Sequence, residues 1–549
     1  MDGLRRPAAV LAAAAVAAGL CWRLAVAWPA GDPAPYAEPQ EEYFLTSVML
    51  RASGVYSVDP GGAPATGRGP LYPSFLAAAQ LGAERPAPRR ARAAQAVLGA
   101  FAALAAGGLG ASLLSPAAGA FAAAFVALDP ALVAAVRGLD VHGFYGAVVL
   151  LLGFAAAVWA QRDGDRASGN ALGLALGVSL LCRGAHLLAA PLLVLAAYAW
   201  WGREGLRRSA RVLLVAGALL VPWTMRGWAH TGRLLPLDAG VGAYNLLAAS
   251  AGGDRAVRYE EAFALAESLS PGFTALHLEE PEPVRDAAVL RLALRTIVGS
   301  PLGYLLGCLR RLAAFWLPLW FFLLPTAFAA LSSRATRGTR AAALVAASFS
   351  AYAAIGLGEG YRLGVEPLLA ALAGIGVASF IPRAPVEGGP PVRSALPLAA
   401  AVAASALACL IMTPFDALAS RRSWRPDCRP PAPFLAAFLD DGVRLAGDGW
   451  YLAPWAGTLR ARPEVCAAMA AFEAGDPKEA ARLFDTAART APLDPEIRVS
   501  LAVALGAAGE KKRALSEAKK AEELAAATRY PSRLRESIRS TRAGLTARR

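Results

Sequence analysis

Long apolar runs recur through the first 410 residues, and no other feature of this chain constrains its fold as tightly. A run of about 18 or more mostly uncharged residues is long enough to cross a bilayer as a helix. Composition agrees: 56% of the residues are apolar, 17% are charged, and the mean hydropathy is +0.42. The runs place eleven spans, near 7–28, 93–114, 117–136, 143–160, 169–183, 185–201, 211–225, 313–332, 341–357, 363–381 and 394–412. A cleavable signal peptide is the competing reading of the first, since "AVAWPAG" imitates a small-residue cleavage site. With so many spans following, a retained helix is expected.

Charge then orients the bundle. The formal net charge is +14, arginine far outnumbers lysine, and the first lysine is Lys478. Much of the arginine lies in short connections, such as Arg162/Arg166, Arg203/Arg207/Arg208/Arg211, Arg334/Arg337/Arg340 and Arg383/Arg393. That pattern sets topology under the positive-inside rule and does not call for a nucleic-acid partner. The loops 29–92 and 226–312 are long, carry many acidic residues and fall together on the opposite, outer face. Within the second, "DRAVRYEEAFALAESL" and the stretch 282–315 have helical periodicity with charged faces and read as helices lying at the interface. Eleven spans that start inside leave the tail outside.

The tail after 412 is different in kind: soluble, helical and richer in lysine. Ala480, Phe484 and Ala487 are followed 34 residues later by Ala514, Ala518 and Ala521, and "AFEAGDPKEAARLFDTAARTAPLDPE" resembles a tetratricopeptide repeat. Two repeats are few for independent stability, so packing on 434–445 or on the membrane domain is expected. Cys21, Cys182, Cys308 and Cys409 read as small buried hydrophobes. Cys428 and Cys466 are positioned either to pair in an oxidising compartment or to stay as thiols. The expected fold is all-α: a polytopic membrane domain over 1–412 with long outer loops, a linker and packing segment over 413–460, repeats over 461–530 and a basic tail over 531–549.

Polar groups that chemistry needs gather at the outer ends of the spans. Glu38, Glu41 and Glu42 lie beyond span one, and a carboxylate at a membrane surface can take a proton from an attacking group. "TGRGPLYPSFLA" follows, with Arg68 and Tyr72 in a glycine- and proline-stiffened return to the bilayer. Outward ends then carry Asp140 and His142, Arg183, Arg226, Tyr244 and Asn245, and finally Glu359, Tyr361 and Arg362. Each arginine also suits a plain interfacial anchor. Asp140 and His142 suit a helix cap as well as a ligand.

Taken in order, "QEEYF", "GPLYP", "LLCRGAH", "PWTMRG…GAYN" and "GYRLGVEP" resemble the motif series of the GT-C membrane glycosyltransferases, in the bacterial branch of protein mannosyltransferases and aminoarabinose transferases. The resemblance covers about residues 1–380. It implies transfer of a sugar from a polyprenyl-phosphate donor to a lipid, glycan or protein acceptor at the outer face of a bacterial inner membrane. The base would be Glu41 or Glu42, where the family usually has Asp, with Asp32 as a further candidate. Arg68, Arg183, Arg226 and Arg362 would hold phosphate or the sugar ring, since a guanidinium stays charged and binds phosphate bidentately. Tyr72, Asp140, His142, Tyr244, Asn245, Glu359 and Tyr361 would complete the substrate site. Asp140 and His142 leave a divalent metal open, although two ligands do not make a metal site. Membrane lipids and a protein at the repeat tail are the other expected partners. The competing reading is a non-catalytic membrane scaffold whose tail recruits partners. A transporter ranks third, for want of paired halves.

Overall fold

A computed structural model describes residues 2–28, 42–57, 69–231, 241–251, 282–332, 335–354, 360–380, 392–420, 433–446, 460–527 and 532–547, with scattered positions between 234 and 273 and at 457 and 458. Regular structure among them is helical. The first helix, α1 (Asp2–Ala27), precedes two short helices of the first long loop, α2 (Glu42–Ser53) and α3 (Leu71–Ala79). Then come α4 (Pro88–Leu113), α5 (Pro116–Ala127), α6 (Pro130–Arg137), α7 (Val141–Gln161) and α8 (Arg166–Cys182). A 3-10 turn at Gly184–Leu188 leads to α9 (Ala189–Trp201) and α10 (Arg203–Thr231), and the second long loop contributes α11 (Val241–Ser250) and α12 (Glu282–Gly299). The bundle closes with α13 (Pro301–Trp316), α14 (Trp320–Leu331), α15 (Arg337–Ala347), α16 (Gly360–Ala378) and α17 (Leu396–Ser420). Beyond it lie α18 (Pro433–Ala446), α19 (Arg462–Glu473), α20 (Pro477–Thr490), α21 (Pro495–Ala507), α22 (Lys511–Ala527) and α23 (Ser532–Ala547).

Local chemistry sets many of these starts. Proline, whose missing N–H costs nothing in a first turn, opens α4, α5, α6, α13, α20 and α21. Ser115, Asp129, Asp140 and Asp165 cap α5, α6, α7 and α8 by accepting backbone N–H bonds. Asp129 also marks a break in an apolar stretch: α5 and α6 together are long and apolar enough to cross a membrane and are bent by 40°. Arg23, buried on α1, donates to the carbonyls of Ala127 (2.5 Å) and Val126 (2.8 Å) that the break leaves without helical partners.

Seven helices among the described residues are long and apolar enough to cross a membrane, or eight with the bent pair as one span. The chain is thus built as a multi-pass membrane protein, but length does not confirm eleven spans. Segments expected near 169–183, 185–201 and 341–357 fall on α8, on the 3-10 turn Gly184–Leu188 with α9, and on α15 with the 3-10 turn Ser348–Ala354; none of the three is among the seven. The stretch expected at the interface, 282–315, divides: α12 packs on α11, while α13 runs through a 3-10 turn into α14 as one apolar span, Pro301–Leu331. The other, 254–269, lies largely outside the described residues.

The core is dominated by small residues, with Ala103, Ala106, Ala118, Ala122, Ala370 and Ala371 fully buried where α4, α5 and α16 meet. Small side chains let helices pack closely where lipid supplies no hydrophobic drive. α17 lies against α3, α4 and α10. The tail forms successive helical hairpins around its own core, which includes Ala480, Phe484, Ala487 and Ala514. Gly475 and Gly509, 34 residues apart, both take positive φ (82° and 87°) in the turns before α20 and α22. Cys466 is disulfide-bonded, while Cys21, Cys182, Cys308 and Cys409 are free thiols; Cys428 lies outside the described residues. Of the four, Cys21 on α1 is exposed, contrary to the expectation of a buried small hydrophobe, because that face of α1 packs against no other helix.

Candidate functional site

The sharpest polar constellation sits where α2, α3, the start of α7 and the end of α8 converge. Asp140 caps α7 and accepts from the amide of His142 and from its ring Nδ1, both at 2.8 Å. Arg183, the first residue after α8, donates from Nη1 to His142 Nε2 at 2.8 Å. A proton on Nδ1 and a lone pair on Nε2 satisfy both contacts, so the network assigns a neutral imidazole with its tautomer fixed by the carboxylate. Burial opposes charge on Asp140, but the His142 hydrogen bonds and the Arg183 charge outweigh it and hold the carboxyl below its ordinary value.

Aromatic rings frame the Arg183 guanidinium. Its carbon lies 4.8 Å from the Tyr361 ring centroid, and Tyr361 stacks on Tyr352 at 5.3 Å and meets His142 edge-on at 5.4 Å. Tyr43 of α2 hydrogen-bonds the same guanidinium. A guanidinium has five N–H donors in a planar fork. Contacts to His142 and Tyr43 therefore leave part of that fork for an anion.

The patch 69–77 supplies the wall behind this group. A Cβ on Gly69 would lie 2.3 Å from the Cys182 carbonyl oxygen and 2.6 Å from that of Leu181, so only glycine lets the loop press on the end of α8 next to Arg183. Tyr72 is fully buried, edge-on to Tyr43 at 5.5 Å. Its hydroxyl lies 2.5 Å from the Leu139 carbonyl and 2.9 Å from Gln95 Oε1, while Gln95 Nε2 donates to the Asp140 carbonyl at 3.0 Å. Leu139 takes a left-handed φ of 52°, a conformation that costs a non-glycine residue about 1–2 kcal/mol. Tyr72 and Gln95 thus brace a strained turn whose next residue is Asp140.

The other sequence-derived residues are spread more widely. Arg226 is buried against Trp223 (4.4 Å) and Tyr56 (5.5 Å) and donates to the Tyr56 carbonyl at 3.3 Å. Tyr56 in turn shares a 2.5 Å hydrogen bond with Ser74 of α3, which links Arg226 to the far side of the same patch. Arg362, half-buried, donates to the Ala314 carbonyl at 2.8 Å. Tyr244 is buried in a separate cluster with Phe273 and Val289, and Asn245 is half-buried beside it on α11. Glu42 opens α2, one residue before Tyr43; Asp32, Glu41, Arg68 and Glu359 lie outside the described residues. The structure thus brings together Tyr72, Asp140, His142, Arg183 and Tyr361, and sets Tyr244 and Asn245 apart. Both His142 ring nitrogens are engaged, and no group of three His, Cys, Asp or Glu among the described residues is placed to hold a metal ion.

Gln95 and Tyr352 are not among the residues singled out from the sequence, and Tyr43 entered there only as the neighbour of Glu42. Gln95 carried a signal, as a lone amide in an apolar span.

No family model and no curated protein matches the chain. Solved structures that resemble it include the oligosaccharyltransferase AglB of Archaeoglobus fulgidus in complex with an inhibitory peptide and a dolichol-phosphate, at 12% identity and a TM-score of 0.41 over 74% of this chain and 56% of that one. The apo oligosaccharyltransferase of the same organism matches at 14% identity and a TM-score of 0.40, over 76% and 58%. Its complex with Zn and sulfate matches at 15% and 0.39, over 69% and 48%. The chain spans little more than half of these proteins at most.

Proposed function

We propose that this chain is a GT-C-type glycosyltransferase that moves a sugar from a polyprenyl-phosphate donor to an acceptor at the outer membrane face. The observation that carries the reading is the Arg183 guanidinium, held by His142, Tyr43 and Tyr361 beside the helix that begins at Glu42. Glu42, or Glu41 before it, takes the proton of an acceptor hydroxyl or amine. The freed electron pair bonds to the anomeric carbon, the bond from that carbon to the phosphate oxygen breaks, and the lipid phosphate leaves with its electrons. Arg183 stabilises the charge that grows on that leaving group. Asp140, His142 and the Tyr361 ring keep the guanidinium placed. Arg226 and Arg362 serve the donor phosphate or the rim of its groove, with Arg68 and Glu359 in adjoining loops.

The same reading includes eleven spans in a bacterial inner membrane, an outer repeat tail of tetratricopeptide type over 461–530, and Cys428 as the disulfide partner of Cys466. Support for the repeat comes from the 34-residue spacing of Gly475 and Gly509 and of the buried alanines. Comparison of glycolipids and glycoproteins by mass spectrometry, in a deletion strain complemented with wild type, Glu41→Gln, Glu42→Gln or Arg362→Ala, tests the function. A product that returns with wild type and is missing with at least one carboxamide variant at normal expression supports it. Full product from all three variants favours the scaffold reading.

A further inference from the structure

The helix that follows the last span does not stand apart from the membrane domain. α18 packs on α2, the first-loop helix that begins at Glu42 and carries Tyr43. Phe434, Leu435, Phe438 and Leu439 are buried there as part of the membrane domain's own apolar core. Phe438 meets Phe44 at 6.0 Å between ring centroids, and the Arg51 guanidinium sits 4.1 Å over the Phe434 ring. Arg51 also donates to the carbonyls of Gln80 and Ala83 (the latter at 3.0 Å), which fastens α2 to the end of α3. On the other face, Asp441 pairs with Arg85 at 3.5 Å, and Asp440 pairs with Arg460 at the head of the repeat tail.

We infer that α18 is a clamp on α2 that positions Tyr43 against Arg183, so that a segment beyond the last span sets the geometry of the site. The chemistry of the assignment is mechanical. α2 has 12 residues, too few to hold a helix in water on its own. Its first turn must nevertheless present Tyr43 to a half-buried guanidinium. α3 buries one side of α2, and the aromatic face of α18 buries another. Phe44, next to Tyr43, takes the contact from Phe438. Phe438 touches no substrate in this scheme; it acts through Tyr43.

The inference rests on the proposed transferase reading for its catalytic arm, and a second arm stands without it. Full-length wild type, Phe438→Leu and Phe438→Ala are compared by hydrogen–deuterium exchange over 43–53 and by turnover of a polyprenyl-phosphate-linked sugar. Exchange over 43–53 is expected to rise in the order wild type, Leu, Ala, with α4, α7 and α16 unchanged. Turnover is expected to fall in the same order, by about 10- to 100-fold for Ala, with a much smaller change in donor KM. A side chain that served stability alone would lower the melting temperature and leave kcat per folded molecule intact. If Phe438→Ala fails to fold, Phe438→Leu carries the comparison. Unchanged exchange over 43–53, or unaltered kcat with raised exchange, overturns the clamp. Absence of turnover in wild type with the exchange gradient present overturns the transferase reading and leaves the clamp on α2 standing.

Discussion

At the scale of single residues, Arg183 and the groups that aim it decide the chemistry of the site. Arg183→Lys keeps the charge but cannot reach His142, Tyr43 and an anion together, and a loss of transfer of about 100-fold is expected in a donor-turnover assay. Tyr72→Phe removes the hydroxyl that braces the strained turn at Leu139 and leaves buried acceptors without a donor; about 1–3 kcal/mol of stability should go, read as a lower melting temperature. The lowered pKa of Asp140 fixes a sign. Its stabilising contribution is complete above the unfolded carboxyl value and is lost as pH falls through the lower folded value. The melting-temperature gap between wild type and Asp140→Asn should therefore narrow on acidification. Several of these residues were legible in the sequence, because Asp140, His142, Arg183 and Tyr361 stand at the ends of apolar runs, where lone polar groups are conspicuous. Tyr43 was legible only as a neighbour of Glu42. A one-residue step along α2 decides which side chain enters the site, and that depends on what packs behind the helix.

At the scale of elements, the apolar runs located each helix of the bundle, but their lengths came from packing and capping. α9 and α15 are continued by 3-10 turns at Gly184–Leu188 and Ser348–Ala354, whereas α13 and α14 join through Leu317–Leu319 into one stretch that begins well before the run expected at 313–332. The bend at Asp129 was equally hidden. It needs Arg23, more than a hundred residues away, to cover the carbonyls it exposes. In the tail the 34-residue spacing was read directly from Ala480, Phe484 and Ala487 recurring as Ala514, Ala518 and Ala521, and the structure adds Gly475 and Gly509 in turns at the same spacing. Alanine at either glycine forces a left-handed residue and should cost about 1 kcal/mol in unfolding of the tail. A disulfide between Cys428 and Cys466, as proposed, would enclose α18. Its reduction should cost roughly 3–4 kcal/mol by loop entropy, seen as a reductant-dependent fall in the tail's melting temperature.

At the scale of the whole molecule, the first long loop, the ends of α7 and α8 and the helix after α17 meet at one end of the bundle. The short basic connections are expected at the other. Labelling with a membrane-impermeant maleimide tests that division: single cysteines at Arg85 and Asp441 should react from the outer side, and one at Asp163 only after permeabilisation. The most direct test of the central claim is donor turnover by the purified full-length protein in liposomes. A panel of polyprenyl-phosphate-linked sugars is offered to wild type and to Arg183→Ala, and release of polyprenyl phosphate is measured. The account predicts release by wild type from at least one donor, and a rate lower by about 100-fold or more in a folded Arg183→Ala. Equal rates from the two proteins, or no release by wild type from any donor, would contradict it.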